Sequence, residues 1–528
     1  MRLEKILFQS GLAAYLSLAV LLSHSTAFAD DAIALRSGFS RIDESDLRRH
    51  VNTLSSDAFE GREVGSRGGK AAAAYLRSQL KRIRESTRLP PEQTQEFGRE
   101  YQNLLVSLPG SDEKLRHEVI VVGAHYDHVG YGKPSNSHGP FGQIHNGADD
   151  NASGTSAVLE LVEAFASLEI PPPRTILFAF WDGEEAGLLG SKHWVAHPTI
   201  PLKDIRFVLN LDMLGRLRNA HVVTGGWRSA PGLRPFLASH NATNEFRLAF
   251  QPRVIADSDH HPFYAAGIPV IHFDTDKHED YHRPSDDPEK LNWDGLKRLT
   301  EFAYRIISDA ASMPEFPKFR PEALREVPPT WLASRAAINP PTRMGAQWNQ
   351  ELAKKNLVQV AQITADSPAS KAGLRIGDRI TRLGSWDNGT FDDLKTTVQV
   401  VKNPVVVRIE RAGVSTPIEV TLTLQGSPIR LGGGWIDDAA LPNCVVMTHV
   451  VADSPADRAG IAAGDVILDM GGQPIASSEE MRMRVLEEPG PFHFRVERQG
   501  CIREITVNLF DRPALKFKAV EAKPSNDE

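Results

Sequence analysis

Residues 119–130 read VIVVGAHYDHVG. The run from Val119 to Gly123 carries no polar side chain, the pattern of a strand covered on both faces. Groups able to do chemistry follow it at once, in His125, Asp127 and His128. Working outward, three further apolar runs have the same character: Thr175 to Trp181, Ile205 to Leu211 and Ile268 to Phe273. Helical patterns separate them. Val158, Leu161, Val162 and Phe165, for instance, recur at the spacing of one helix face and read as plain packing on a sheet. Such alternation predicts an α/β fold with a mainly parallel central sheet and helices on both faces. Ahead of the first strand, residues 43–83 are basic and helical in pattern, with Ser45 in a capping position and an alanine run from Ala71 favouring helix.

The chain has 528 residues, more than one hydrophobic core accommodates. A content of 41% hydrophobic and 24% charged residues is that of ordinary globular domains. The formal net charge is −7 with both signs interspersed, so no basic face is available to nucleic acid or an anionic lipid surface, and those partner classes are excluded. Residues 1–29 predict a cleaved secretory signal: Arg2 and Lys5 precede an apolar stretch from Leu12 to Leu22, and Ala27-Phe28-Ala29 precedes Asp30. An exported protein of the periplasm or the extracellular medium follows, with no membrane span left after cleavage. Two cysteines, Cys444 and Cys501, exclude a disulfide scaffold, although an oxidising compartment would permit one bond.

Domain boundaries come from punctuation and repetition. A first domain spans residues 30–313. Prolines at 314, 317, 321, 328, 329, 340 and 341 then predict a semi-rigid linker over 314–342. Beyond it, ADSPASKAGLRIGDRI at residues 365–380 recurs as ADSPADRAGIAAGDVI at 452–467, an offset of 87 residues. Two homologous small domains, 343–424 and 429–511, account for this. Residues 512–528 are polar without periodicity and predict a disordered tail.

In the first domain, carboxylates and histidines cluster just after the apolar runs, in GAHYDHVG (123–130), NGADDNASG (146–154), WDGEEAGLLGS (181–191), NLDM (210–213) and DYHRPSDD (280–287). In an open α/β sheet that is the carboxyl edge, where ligands bind. Imidazole and carboxylate together are the donor set zinc takes when a position must stay open to water. Each stretch alone is weak, because an HxD or GEE on a loop is commonly a solvated turn. The five in this order resemble the di-zinc aminopeptidase family that includes bacterial leucyl aminopeptidases, aminopeptidase Y and glutamate carboxypeptidase II, over roughly residues 43–311.

The resemblance implies two Zn2+ per chain, with Co2+ or Mn2+ as possible substitutes. It implies that His125 and Asp212 hold one ion, that Glu185 and His282 hold the other, and that Asp150 bridges them. It implies a zinc-bridging hydroxide as nucleophile, Glu184 as general base, Tyr281 as donor to the developing oxyanion, and Asp127 as the carboxylate that orients His125. Ser258-Asp259-His260-His261 resembles a recurring signature near the site and is taken as supporting structure. His128, His138 and His145 are read as exposed loop histidines, with the alternative that they line a substrate pocket or attract adventitious metal. Trp227 and Phe263 are candidates for the first subsite.

The two repeats resemble PDZ domains of exported bacterial proteases. This implies peptide capture by strand addition, with backbone amides at Met344-Gly345 and Leu431-Gly432 holding a C-terminal carboxylate. Gly373, Gly377, Gly460 and Gly464 are read as turns. The function expected is exopeptidase cleavage of N-terminal residues from peptides, with the repeats tethering peptide or protein partners. The metal motifs do not separate this from a carboxypeptidase or a glutaminyl cyclase of the same fold. A non-catalytic adaptor would lose ligands or the base, and here every ligand position and Glu184 are filled.

Overall fold

A computed structural model describes residues 38–327, 338, 342–426 and 428–509. The expected signal segment, the tail after residue 511 and most of the stretch 328–341 lie outside the described residues. The chain divides into two compact units near Pro329.

The first unit is built on an eight-stranded sheet. Its strands are β1 (Gln93–Phe97), β2 (Tyr101–Leu108), β3 (Val119–His125), β4 (Thr175–Trp181), β5 (Ile205–Leu211), β6 (His221–Gly225), β7 (Arg247–Phe250) and β8 (Val270–Asp274). They lie in the order β1-β2-β4-β3-β5-β8-β6-β7. The expected parallel core is its centre: β4, β3, β5 and β8 run parallel, while β2 and β6 pair antiparallel to their neighbours in it. Every residue of β3 and β4 is buried, as continuous apolar runs require. In the register His125 faces Trp181 and Gly123 faces Asn210, so the carboxyl ends of three strands finish level. A Cβ at Gly123 would lie 2.4 Å from the Trp181 indole nitrogen, so glycine is required for that close approach.

Two helical layers cover this sheet. The helices are α1 (Glu44–Leu54), α2 (Arg67–Ser86), α3 (Gly154–Ala166), α4 (Leu189–Ala196), α5 (Leu233–His240), α6 (His260–Ala265) and α7 (Trp293–Ser312). α3 packs on β3, β4 and β5 and against α7, whereas α4 and α6 pack on each other, α4 against β1 and β2 and α6 against β5 and β8. The basic stretch from Asp43 holds two helices. Asp43, ahead of Ser45, caps α1 by accepting the Ser45 N–H, and Ser66 caps α2 through Gly69. The break between them carries Glu60, Gly61 and Arg62 at positive φ. That turn drives the Arg62 side chain inward.

The segment read as a linker from Pro314 is part of the first unit as far as Val327. The Phe316 ring lies 5.0 Å from that of Phe207, and the Arg320 N–H bonds the Ser229 carbonyl at 2.8 Å. Prolines break regular structure there, but a buried phenylalanine and a buried arginine still anchor the chain. Among the described residues no helix is long and apolar enough to cross a membrane.

The second unit holds both repeats except for residues 439–442 and 499–502, and each repeat is antiparallel and β-rich. The first comprises β9 (Ala346–Trp348), β10 (Val360–Ile363), β11 (Arg379–Leu383), β12 (Trp386–Asp387), β13 (Val405–Glu410), β14 (Ile418–Leu422) and helix α8 (Phe391–Val400). The second comprises β15 (Gly433–Ile436), β16 (Val445–Val450), β17 (Val466–Met470), β18 (Gln473–Pro474), β19 (Phe492–Arg498), β20 (Cys501–Val507) and helix α9 (Ser478–Glu487). The 87-residue offset reappears in the ion pairs: Asp378 with Arg411 at 2.8 Å and Asp465 with Arg498 at 2.6 Å. Each aspartate also accepts a backbone N–H of the preceding turn, from Arg375 and from Ala462. The repeated Gly-Asp is thus a buried carboxylate that ties a turn to a strand. Cys444 and Cys501, both buried, are not joined by a disulfide.

Asp465→Ala should therefore lower the melting transition of the second repeat by roughly 4–8 °C, the shift about 1 kcal/mol produces in a domain of under 100 residues, with zinc uptake unchanged. Calorimetry with a parallel metal assay measures both.

Candidate metal centre

The level strand ends deliver the site. His125 is the last residue of β3, Glu184 and Glu185 follow β4 after a turn at Gly183 (φ 72°), and Asp212 follows β5. Asp150 lies on the irregular turn that leads into α3, and the Asp150–Asn151 peptide is cis. His282 arrives on the loop after β8, itself at positive φ.

The imidazole of His125 places Nε2 3.2 Å from Asp212 Oδ1 and 3.4 Å from Asp150 Oδ1. The imidazole of His282 places Nε2 3.0 Å from Asp150 Oδ2 and 3.1 Å from Glu185 Oε2. One oxygen of Asp150 therefore serves each cluster. All five expected ligands meet. Tetrahedral zinc with bonds of about 2.0 Å holds its ligand atoms roughly 3.3 Å apart, so both clusters have the right span. The His282 Nε2 atom has no hydrogen-bond partner among the described residues although two carboxylate oxygens lie close, as an atom reserved for a cation would. Its Nδ1–H is spent on the Asn136 carbonyl at 2.9 Å, which leaves Nε2 as the nitrogen able to hold a cation.

Electrostatics divide the carboxylates by role. Burial would raise Glu185, but His282 and His128 outweigh it and hold the carboxylate well below its ordinary range. Asp212 is likewise lowered, burial being outweighed by His125. Burial, then Glu185 and Asp212, push Glu184 well up against the pull of His125. Two adjacent glutamates thus have opposite protonation tendencies, the separation that distinguishes a ligand from a proton carrier. Burial alone would lower the His282 imidazole, yet Glu185 and Asp150 raise it to about 10. His125 is raised well above its usual value by Asp212 and Glu184, again against burial.

The Asp127 carboxylate stands beside the His125 ring as expected, but it is not the nearest acceptor. Its Oδ1 is 3.7 Å from His125 Nδ1, whereas its main-chain carbonyl is 3.2 Å away and is the acceptor. The Asp127 carboxylate instead accepts the Glu184 N–H at 3.0 Å and so fixes the loop bearing the base. Ser258 of the Ser-Asp-His-His stretch donates to Asp212 Oδ2 at 2.7 Å, and Asp259 accepts from the Ser191 hydroxyl, so that stretch supports the site without entering it. Tyr281 stacks on His282 with ring centroids 3.9 Å apart. Burial, followed by Asp150 and Glu185, pushes its hydroxyl up, so it stays protonated at any working pH.

Four residues depart from their expected places. His128 and His145 are buried rather than exposed. His145 bonds the Ser137 hydroxyl and the Gln143 carbonyl, and His128 Nδ1 lies 2.9 Å from Glu185 Oε1; only His138 is exposed as read. Trp227 and Phe263 are fully buried and offer no surface to a substrate: the Trp227 indole bonds the Gln251 carbonyl, and Phe263 packs with Trp181 and Trp194.

Two further residues brace the site, Arg62 outside the five stretches and Asp286 inside the last of them. The buried guanidinium of Arg62 donates to the carbonyls of Leu54, Tyr126, Asn146 and Gly147, joining the loop of His125 to that of Asp150. Burial lowers it to about 10, so it remains charged at neutral pH. Asp286 accepts the N–H groups of both Asp149 and Asp150 at 2.9 and 3.0 Å. A Cβ on Gly147 would lie 2.3 Å from the Asp150 carbonyl oxygen, and its φ is 56°, so only glycine fits there.

Residues 103–307 match peptidase family M28, and residues 446–498 match the PDZ domain. The first unit carries a domain of peptidase family M28. Among curated proteins, the M28 domain is similar to leupeptin-inactivating enzyme 1 of Streptomyces exfoliatus, 29% identical over 230 residues covering 43% of this chain and 48% of that protein. It is also similar to aminopeptidase YwaD of Bacillus subtilis (strain 168), 29% identical over 225 residues covering 39% and 44%. The chain spans about half the length of these relatives. Among solved structures, the LapA aminopeptidase of Legionella pneumophila is 21% identical with a TM-score of 0.46, over 53% of this chain and 75% of that one. The chemistry of the donor set in the M28 domain fits zinc.

The loops named in the repeats are partly core. Met344 and Leu431 are buried in the two β-rich cores, and Gly345 and Gly432 are left-handed (φ 71° and 89°) with their carbonyls taken by Thr364 and Val451. Ala346, Trp348, Lys395 and Gln399 of the first repeat, together with Val451, Ser454 and Arg458 of the second, line a cavity of about 640 Å³. In the second repeat, the Trp435 indole donates to the Ser478 carbonyl at 2.9 Å and Asp437 accepts the Ser478 N–H and hydroxyl, tying β15 to α9.

Because His125 and His282 bind protons more strongly than free imidazole, protons compete with the metal. Loading must release protons, and zinc affinity must rise with pH between 6 and 8. Calorimetric titration of metal-free protein in buffers of different ionisation enthalpy reads the proton release directly.

Proposed function

We propose that the chain is an exported zinc-dependent aminopeptidase that works with two metal ions. The observation that carries this reading is Asp150, with one carboxylate oxygen in each of two imidazole–carboxylate clusters. His125 and Asp212 would hold the first ion, and Glu185 and His282 the second. When bound, such ions polarise a scissile carbonyl and lower the pKa of a water between them.

The chain's own groups do the rest. Glu184, with its raised affinity for a proton, takes one from the attacking water and hands it to the leaving amine. Asp127 keeps it in place through its backbone N–H. Tyr281, protonated and stacked on His282, donates its hydroxyl to the oxygen that gains charge. The names of the relatives, aminopeptidase YwaD and leucine aminopeptidase 1 of Ajellomyces capsulatus, favour cleavage at a free N-terminus. The pattern of residues 1–29 supports export to the periplasm or beyond. Cobalt or manganese would suit the same nitrogen and oxygen donors.

Glu184→Gln keeps the shape of the site and removes the proton carrier. Hydrolysis of aminoacyl amides with a free amine should fall about 10²- to 10⁴-fold while two zinc ions per chain are retained. N-blocked amides should resist the wild type. Cleavage of blocked substrates, cyclisation of N-terminal glutamine, or intact metal with no turnover would replace the aminopeptidase reading with a carboxypeptidase, a cyclase or an adaptor respectively.

We propose further that the repeats tether C-terminal peptides or proteins, in the cavity that residues of both repeats line. Thr396, half-buried in that cavity, is the place to fill it. Thr396→Trp should raise KM for long peptides several-fold and leave dipeptide amides unaffected. Identical KM values for long substrates in both proteins would end the tethering idea.

A further inference from the structure

We propose that His128 is a positioning residue for the metal ligand Glu185: its ring N–H holds one carboxylate oxygen so that the other is left to face the second ion. The inference rests on the two-metal reading above. His128 Nδ1 is 2.9 Å from Glu185 Oε1, a charge-assisted hydrogen-bond distance, while Glu185 Oε2 is the atom 3.1 Å from His282 Nε2. The two oxygens of Glu185 are therefore committed to different partners. The nearest oxygen of Asp150 is 3.9 Å from the same Nδ1, too far for a hydrogen bond.

The ring cannot turn away. His128 is 1% exposed, and its main-chain N–H bonds the Arg62 carbonyl at 3.2 Å. The ring lies against Gly147 at the mouth of the Asp150 turn, where an added Cβ would come within 2.5 Å of it. It meets the His282 ring edge-on at 5.6 Å. His128 thus touches three of the segments that carry the second cluster. Without its N–H, Oε1 would be a buried carboxylate oxygen with no donor. The carboxylate would then rotate to share both oxygens with the ion, displacing Oε2 from the position that Asp150 and His282 define.

The test uses the full-length metal-free protein titrated with zinc against a chelator of known affinity, for wild type, His128→Leu and His128→Asn. The asparagine amide can place an N–H where Nδ1 stands; leucine cannot. The leucine variant should keep one site and bind zinc at the other about 10- to 100-fold more weakly, and the asparagine variant should stay within about threefold of wild type. A thermal melt of each metal-free protein checks folding. If the leucine variant does not fold, His128→Gln, whose donor lies further out, takes its place with the same expected loss. Two wild-type affinities in the leucine variant overturn the inference. An asparagine variant as weak as the leucine one also overturns it, because His128 would then act as a ligand in its own right. A wild type that takes up a single zinc ion overturns the two-metal reading and this inference together, whereas two ions in the wild type with indifferent variants overturn this inference alone.

Discussion

The first unit is organised by a concentration of negative charge at one edge of its sheet. Asp127, Asp149, Asp150, Asp212, Asp259 and Asp286 are buried there, with Glu184 and Glu185 beside them. An isolated buried carboxylate is too costly to stay ionised and takes up a proton or a cation instead. The site shows both responses. Glu185 and Asp212, each against an imidazole, are held down, while Asp127, Glu184, Asp259 and Asp286 are pushed up by burial. Cations are wanted where the imidazoles are, and protons are kept where they are not.

Holding that charge together falls to backbone contacts more than to ion pairs. Arg62 gives its hydrogen bonds to four main-chain carbonyls, and Asp286 spends one carboxylate oxygen on two main-chain N–H groups. Both therefore fix where Asp150 sits without competing for its carboxylate. Arg62 also sets a positive charge behind the acidic cluster, and Asp150 is foremost among the carboxylates that resist its loss of a proton. The turn at positive φ that carries Arg62 inward, the break between α1 and α2 and the glycine at 147 are local costs accepted for that geometry.

The second unit follows a different logic. Its repeats are small antiparallel domains, each with an aspartate locked by an arginine 33 residues further on. The shared lock keeps the two folds alike. Residues of both line a common cavity, and in the second repeat Trp435 and Asp437 bind the first residue of α9.

What the sequence by itself determined follows from signals that are local and repeated. Continuous apolar runs are read as strands covered on both faces, and ligand-type residues at their carboxyl ends mark the edge where ligands gather. The 87-residue recurrence marks two related domains. In each case the physics lies within about ten neighbouring residues. Tertiary structure decided what depends on partners far away in the chain. His128 and His145 read as loop histidines because burial of a loop is invisible locally, and Trp227 and Phe263 read as pocket aromatics for the same reason. Asp127 was placed on the correct loop, but which of its oxygens meets His125 and which meets Glu184 is set by the packing of β3 against β4. Arg62 reaches carbonyls as many as 85 residues distant, and Asp286 reaches amides 137 residues away. Side-chain bonds to backbone demand no particular residue at the far end. Arg62 therefore stands outside every quoted stretch, Asp286 stands inside one with no sign of its partners, and only the fold reveals either bond.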